Sequence, residues 1–287
     1  MSKIQIGSFE FKCNVQGEQG PLVVLLHGYG GGPLDWHHVV PHLTGCRVAI
    51  PNLTPLFSCE SAISFSKQVQ MIAALLNVVN GEREPFVLVG SSYGGTLSYG
   101  LRAHFQSLVQ GHILLNPMPL DPIARVKNTQ LRMLCGMNMV PGALPLFLKT
   151  HMGKEILSQL GGTFGFGKEG RRGLESLSER KLMLISKAVQ RFAWIAQHEN
   201  WSYWSNQLRD HLIPLLLITG GADALFHEKD LRAYQQLVPM SEHKVIEEAP
   251  HVMVRTHPEL LARHIREFVA SLIIEPRLEV SPLRQAI

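Results

Sequence analysis

Apolar runs of strand length fall at residues 9–15, 22–27, 47–51, 85–90, 111–116, 213–219 and 243–247, and helical patterns lie between most of them. Strands that alternate with helices in this way predict a mostly parallel, doubly wound α/β sheet. Ahead of them, Ile4-Gln5-Ile6 and Phe9-Glu10-Phe11 alternate apolar and polar positions as a hairpin strand does. The rhythm breaks once. Between Met118 and Leu208, roughly 90 helix-like residues rich in Met and Leu separate two strands, far more than an ordinary crossover. The pattern predicts a helical cap at 118–208 inserted into a core made of 1–117 and 209–273, with an aperiodic, flexible tail over 274–287. Inside the cap, Met133, Met137, Met139, Met152 and Met183 are adaptable side chains that suit plain packing or a pocket wall. The aromatic residues Phe192, Trp194, Trp201, Tyr203 and Trp204 cluster at its exit, and Gly161-Gly162-Thr163-Phe164-Gly165-Phe166-Gly167 reads as a lid or a surface loop.

The ends of the apolar runs carry the candidate chemistry. Pro85 to Val89 runs into Gly90-Ser91-Ser92-Tyr93-Gly94, with Gly95 behind. Glycines two before and two after Ser92 leave room for a strand driven into a sharp turn and then a helix, where any Cβ would collide with a neighbouring element. A serine at the apex of such a turn is exposed on strained backbone and becomes a nucleophile once a base lies beside it. Leu22-Val23-Val24-Leu25-Leu26 likewise ends in His27-Gly28-Tyr29-Gly30-Gly31, whose glycines let backbone N–H groups point into a cavity, as an oxyanion site requires. Further on, Leu215-Leu216-Leu217-Ile218 leads to Thr219-Gly220-Gly221-Ala222-Asp223, and Glu248-Ala249-Pro250-His251 follows the last run. Ligands of open α/β sheets bind beyond the carboxyl ends of the strands, so these groups are expected on one edge.

With these four motifs in this order, the chain resembles the α/β-hydrolase family over nearly its whole length. His27 to Gly31 with Trp36 is similar to the family's oxyanion turn and following helix, Gly90 to Gly95 to its nucleophile elbow, Gly221-Ala222-Asp223 to its acid turn, and His251 with Pro258-Glu259 to its histidine loop and final helix. The resemblance implies that Ser92 is the nucleophile, His251 the general base and then acid, and Asp223 the orienting carboxylate. The backbone N–H groups of Tyr29 and Tyr93 would form the oxyanion hole. The chain departs from the family pattern at Asn52-Leu53-Thr54-Pro55-Leu56, a loop that often shapes the pocket, at Pro250 where glycine is common, and at Thr256 where glutamate often stands.

Composition narrows the alternatives. A chain of 287 residues, 45% hydrophobic and 17% charged, has the make-up of one globular core with an insertion. A net charge of +4 without a basic stripe argues against a nucleic-acid partner, and the run from Lys168 to Lys181 reads as a solvated face. No apolar run reaches the roughly 18 residues of a membrane span, and Met1-Ser2-Lys3 does not open a signal peptide. Cys13, Cys46, Cys59 and Cys135 form no C-x-x-C pair and read as small buried hydrophobes in a reducing compartment, so the chain is expected in the cytoplasm. Gly28-Tyr29-Gly30 meets Pro33 at the third fingerprint position and no Gly-Lys-Ser/Thr follows, so both nucleotide-binding readings fail. His38 and His42 stand four apart on an expected helix without a glutamate between them, which favours a structural role. No metal and no cofactor are expected.

Two rivals compete within the triad. Asp121, after the preceding strand, competes with Asp223, which has the better turn; His257 competes with His251, but Thr256-His257-Pro258-Glu259 reads as a capping box that leaves His257 on the surface. The expected activity is an esterase or thioesterase acting on a small-molecule substrate with a modest apolar acyl group. A serine nucleophile argues against the haloalkane and epoxide chemistry that uses aspartate in this family. An acyltransferase, a carbon–carbon bond hydrolase and a catalytically silent binding protein remain as alternatives.

Overall fold

The structure is a computed structural model that describes residues 2–59, 62–81, 84–119, 129–137, 140, 142–163, 179–210 and 213–274. Eight strands form one sheet: β1 (Ser2–Ile6), β2 (Phe9–Gln16), β3 (Leu22–Leu26), β4 (Arg47–Pro51), β5 (Phe86–Ser91), β6 (Val109–Leu115), β7 (Leu215–Gly220) and β8 (Glu242–Ile246). Their spatial order is β1-β2-β4-β3-β5-β6-β7-β8. β1 and β2 make an antiparallel hairpin turned at Gly7, which takes φ +59°, and β2 runs antiparallel to β4. From β4 to β8 every pair is parallel. This is the mostly parallel, doubly wound α/β sheet of the α/β-hydrolase fold.

Side-chain alternation along the inner strands divides the core. Val24, Leu26, Leu88, Leu114 and Leu217 face a cluster built with Phe65, Ile72, Leu97 and Tyr234. Their neighbours Val23, Leu25, Val87, Val89, Ile113, Leu216 and Ile218 face the opposite side, against Trp36, Val39, Leu261 and Ile265. Successive residues of a strand point to opposite faces, so a strand covered on both sides must be apolar at every position. That is why β3, β5 and β7 are buried throughout. The helices Phe65–Val79 and Tyr93–His104 pack on the first face and the helix Pro258–Ile274 on the second.

Between β6 and β7 run the helices Thr129–Met137, Ala143–Lys149, His151–Thr163, Glu179–His198 and Trp201–Asp210. Leu134, Leu144, Leu148 and Leu157 give the first three a small core of their own. The long helix Glu179–His198 is tied to the sheet side by polar bonds: Tyr29 Oη donates to Ala188 O (2.9 Å) and Arg191 Nη1 donates to Phe57 O (2.7 Å). Just beyond its end, Glu199 accepts from the Phe65 backbone N–H at 2.6 Å.

Several local expectations change. After the glycine turn the chain forms two 3-10 turns, Pro33–Trp36 and Val40–His42, instead of one α-helix, because Pro41 would supply no N–H to an α-helical ladder continued from Pro33 and its ring would crowd the preceding turn. The final helix starts at Pro258, so Thr256 lies outside it; its hydroxyl bonds the ring of His257 at 2.8 Å, and the expected capping box does not form. Met133, Met152 and Met183 are exposed, Trp194 and Tyr203 are partly solvent-facing, and Trp201 and Trp204 pack edge-on against Phe65. Cys13 and Cys135 are buried, whereas Cys46 and Cys59 are half-buried; all four are free thiols. Asp121, Met139, the stretches 164–167 and 168–178, and the tail 275–287 lie outside the described residues.

The turn at Ser92 generates the first prediction. A Cβ on Gly94 would run into the backbone carbonyls of Leu26 and His27, and backbone cannot swing aside. Gly94→Ala should therefore lower stability by about 3 kcal/mol, read as the urea midpoint. Gly32→Ala adds a methyl where nothing lies within 4 Å and should stay within about 0.5 kcal/mol.

Candidate active site

Ser92 sits between the end of β5 and the helix Tyr93–His104 at φ 52°, ψ −120°, a conformation L residues rarely adopt. Its N–H is held by Leu115 O at the end of β6 (2.9 Å), and its carbonyl accepts from Thr96 N (3.2 Å). The approach is possible because Gly90 lies against Gly95, and Gly94 against the end of β3; a side chain at either position would collide with backbone. Sequence and structure thus agree on why glycine brackets this serine.

Two further strand ends deliver the partners. His251 Nε2 lies 2.9 Å from Ser92 Oγ, and His251 Nδ1 lies 2.8 Å from Asp223 Oδ2. Both His251 and Asp223 are buried. Asp223 follows β7, and its other oxygen, Oδ1, accepts from the N–H groups of Leu225 (2.7 Å) and Phe226 (3.2 Å). Burial alone pushes the Asp223 carboxyl up, but the charge and hydrogen bond of His251 and these two N–H donors outweigh it, and the net direction is down. An ionised Asp223 accepts a hydrogen bond from the His251 Nδ1–H, which keeps that proton on Nδ1 and leaves the Nε2 lone pair facing the Ser92 hydroxyl. Of the two rival positions, His257 directly precedes the final helix with its ring bonded to the Thr256 hydroxyl, and Asp121 is not among the described residues.

The glycine turn after β3 packs against the serine: Gly28 lies under Ser92 Cβ. His27 is buried with Nδ1 3.0 Å from Gly28 O, while its Nε2 accepts from Leu53 N at 2.9 Å. Burial holds the ring below its ordinary pKa, so it is neutral and carries its proton on Nδ1. The segment Asn52–Leu56, expected as a pocket loop, is bound by that link and runs into a short helix, Thr54–Ser58. None of its residues lines the cavity at Ser92, and Phe57 of that helix meets the Tyr29 ring at a tilt, 4.4 Å between ring centres. The Tyr93 N–H opens a helix and so has no intrahelical acceptor, and among the described residues no partner is found for it or for the Tyr29 N–H.

Asn116, which sequence reasoning passed over, ties these loops together. It follows β6 at φ 40° and is fully buried. Its Nδ2 donates to Pro250 O (3.2 Å) and His251 O (3.0 Å), and its Oδ1 accepts from Gly220 N (2.8 Å). One amide thus sets the histidine loop against the end of β7. An asparagine directly after an apolar run and before Pro117 was the available signal.

Ser92 and His251 open into a cavity of about 320 Å³. Its sheet-side wall is Met118, Leu225, Phe226 and Val252; the opposite wall is Leu131, Leu134, Leu157, Ala188, Val189 and Phe192 from the helices between β6 and β7. Asp35 and Arg255 supply the charged groups of the lining. Of the cap methionines expected as candidate lining, none of those described reaches it; leucine and valine do that work, while Phe192 of the aromatic cluster does line it.

Comparison with known proteins places this geometry. The chain is 26% identical over 263 residues to the pimeloyl-[acyl-carrier protein] methyl ester esterase of Aeromonas hydrophila, covering 88% of this chain and 96% of that one. It is 23% identical over 276 residues to the mouse (Mus musculus) protein ABHD8, covering 92% of this chain and 58% of the other. The chain spans less than two thirds of the length of several curated relatives it matches. An esterase structure from Thermogutta terrifontis superposes with a TM-score of 0.70 at 21% identity, over 94% of this chain and 98% of that one, which shows a shared fold. The model of the alpha/beta hydrolase family matches residues 23–264, a span that runs from β3 into the final helix and holds Ser92, Asp223 and His251, and the chain belongs to that family.

Proposed function

We propose that this hydrolase-family chain is a serine esterase that cleaves a carboxylic ester or thioester of a modest apolar acyl group through an acyl-enzyme. The observation that carries the reading is the hydrogen-bonded series Ser92–His251–Asp223 at the wall of an apolar cavity. In this reading Ser92 Oγ attacks the acyl carbon as its proton passes to His251 Nε2, and the tetrahedral oxyanion is met by the N–H groups of Tyr29 and Tyr93. His251 then returns the proton to the departing alcohol or thiol. Water, deprotonated by the same nitrogen, adds to the acyl carbon and releases the acid and Ser92. Asp223 holds the imidazole and its developing positive charge throughout.

The helices between β6 and β7 act in this reading as the cap, residues 118–208, over a core of 1–117 and 209–273. Their Leu, Val and Phe side chains receive the acyl chain and keep water from the reacting carbon, which strengthens the oxyanion contacts. The ester class draws support from the esterase name of the Aeromonas relative. Four free thiols suit a reducing compartment, and we place the protein in the cytoplasm.

Three outcomes are expected. A fluorophosphonate probe should label Ser92, and Ser92→Ala should abolish labelling and lower kcat on p-nitrophenyl esters by about 10⁴ to 10⁶-fold, with Ser91→Ala still labelled; mass spectrometry that places the adduct elsewhere would defeat the assignment. Asp223→Asn should cost about 10⁴-fold in kcat while Asp121→Asn keeps most activity, and the reverse pattern would move the carboxylate to the earlier strand. Leu134→Trp, which fills the far wall of the cavity, should shift the preferred p-nitrophenyl ester to a shorter acyl chain. An unchanged chain-length profile would place selectivity outside the cavity.

A further inference from the structure

A second carboxylate, Asp35, lies beside the same cavity and takes no part in the Ser92–His251–Asp223 series. It is buried, and both of its oxygens are engaged. Oδ2 accepts from the Gly32 backbone N–H at 3.1 Å, so it closes the glycine turn that begins at Gly28. That oxygen also sits where a Cβ on Gly31 would be, which explains the glycine at this position. Oδ1 accepts from Arg255 at Nε (3.1 Å) and Nη2 (2.5 Å). Arg255 stands in the short helix Met253–Thr256 just after His251, and its own N–H is bonded to Val252 O at 3.3 Å.

One carboxylate therefore joins two segments that are far apart in sequence and adjacent at the reacting atoms. On one side is the glycine turn that carries the Tyr29 N–H; on the other is the loop that carries His251. We infer that Asp35 and Arg255 are a positioning pair that locks the oxyanion turn to the histidine loop, so that the Tyr29 N–H and His251 Nε2 keep their spacing as the acyl carbon becomes tetrahedral. The inference rests on the proposed Ser92 reading. The pair also has an electrostatic side. Arg255 neutralises a buried anion close to where negative charge develops; without it, Asp35 would oppose the oxyanion. The two residues are otherwise far apart along the chain, and the ion pair is the direct polar link between their side chains.

A loosened oxyanion turn should act on the transition state and spare ground-state binding in the apolar cavity. Arg255→Ala is expected to lower kcat by about 10²-fold with KM changed less than about twofold. Arg255→Lys, which keeps the charge, should recover most of the loss. Asp35→Asn combined with Arg255→Gln removes the opposed charge and should be faster than Arg255→Ala, so the single losses are not additive. Guanidinium ion added to Arg255→Ala should raise kcat in proportion to its occupancy, because the missing group faces the cavity; a fold defect would not respond. Fluorophosphonate labelling and p-nitrophenyl ester kinetics on the full chain supply the readout, and labelling of Arg255→Ala at Ser92 shows that the variant is folded. If Arg255→Ala will not fold, Arg255→Gln is read in its place. Unchanged kcat, a loss that falls on KM, or no recovery with lysine and guanidinium overturns the positioning role. Retained activity in Ser92→Ala would instead overturn the esterase reading on which it stands.

Discussion

A serine held at φ 52° between a central strand and a helix is the constraint on which the rest of this molecule turns. Residues in such sparsely populated conformations cost of order 1–3 kcal/mol, and they persist only where their surroundings over-determine them. Here β5 lies between β3 and β6, the Ser92 N–H is tied to the end of β6, and Gly90, Gly94 and Gly95 bring strand and helix into backbone contact. A strand at the sheet's edge would lack one of those neighbours. The central place of β5 and the strained turn belong to one arrangement.

Around that turn, the buried side chains of Asp223, Asn116 and His27 all have hydrogen-bond partners. An unsatisfied buried donor or acceptor costs about 1–3 kcal/mol, and these three side chains spend their hydrogen bonds on joining one segment of the sheet edge to another. Asp223 holds His251 and the chain at Leu225 and Phe226; Asn116 holds the histidine loop to β7; His27 holds the glycine turn to Leu53. The ends of β6, β7 and β8 are thereby set relative to one another, and the end of β3 relative to that of β4, before any substrate arrives. Catalysis of the proposed kind depends on such preorganisation, because donors already in place need no reorganisation as charge develops.

The helices between β6 and β7 do a different job. They have a small leucine core and lean on the sheet side through Tyr29, Phe57 and Phe65, whose partners are Ala188 O, Arg191 and Glu199. Tyr29 is the hinge of that contact: its backbone lies in the glycine turn, its ring packs at a tilt on Phe57 and edge-on against Phe192, and its hydroxyl reaches the long helix. The same residue whose backbone N–H is proposed to meet the oxyanion also connects the turn to the apolar wall.

Much of this was legible in the chain. Continuous apolar runs mark strands buried on both faces, so the strands and the α/β class could be read directly, and the glycines around Ser92 could be read because a sharp turn needs them at fixed neighbouring positions; Asp223 and His251 stood out only by their place after later strands, in the order the family resemblance implies. Other features lacked such a signal. Proline changed an expected helix after Gly32 into 3-10 turns, and the start of the final helix at Pro258 left Thr256 without its expected cap. Which of the many apolar residues between β6 and β7 would line the cavity depended on how the described helices there rotate against the sheet, and among the candidates weighed it was leucine, valine and Phe192 rather than Met133, Met137, Met152 or Met183. The asparagine after β6 left a faint signal, but its bonds to the histidine loop, like the pairing of Asp35 with Arg255, could not be read, since each spans a gap between segments distant in sequence. Sequence by itself determined the elements and the residues at their ends, because periodicity and glycine placement act over a few neighbouring positions. Tertiary structure alone decided which ends meet and which polar groups join them, because that follows from the order of strands in the sheet and from the packing of helices upon it.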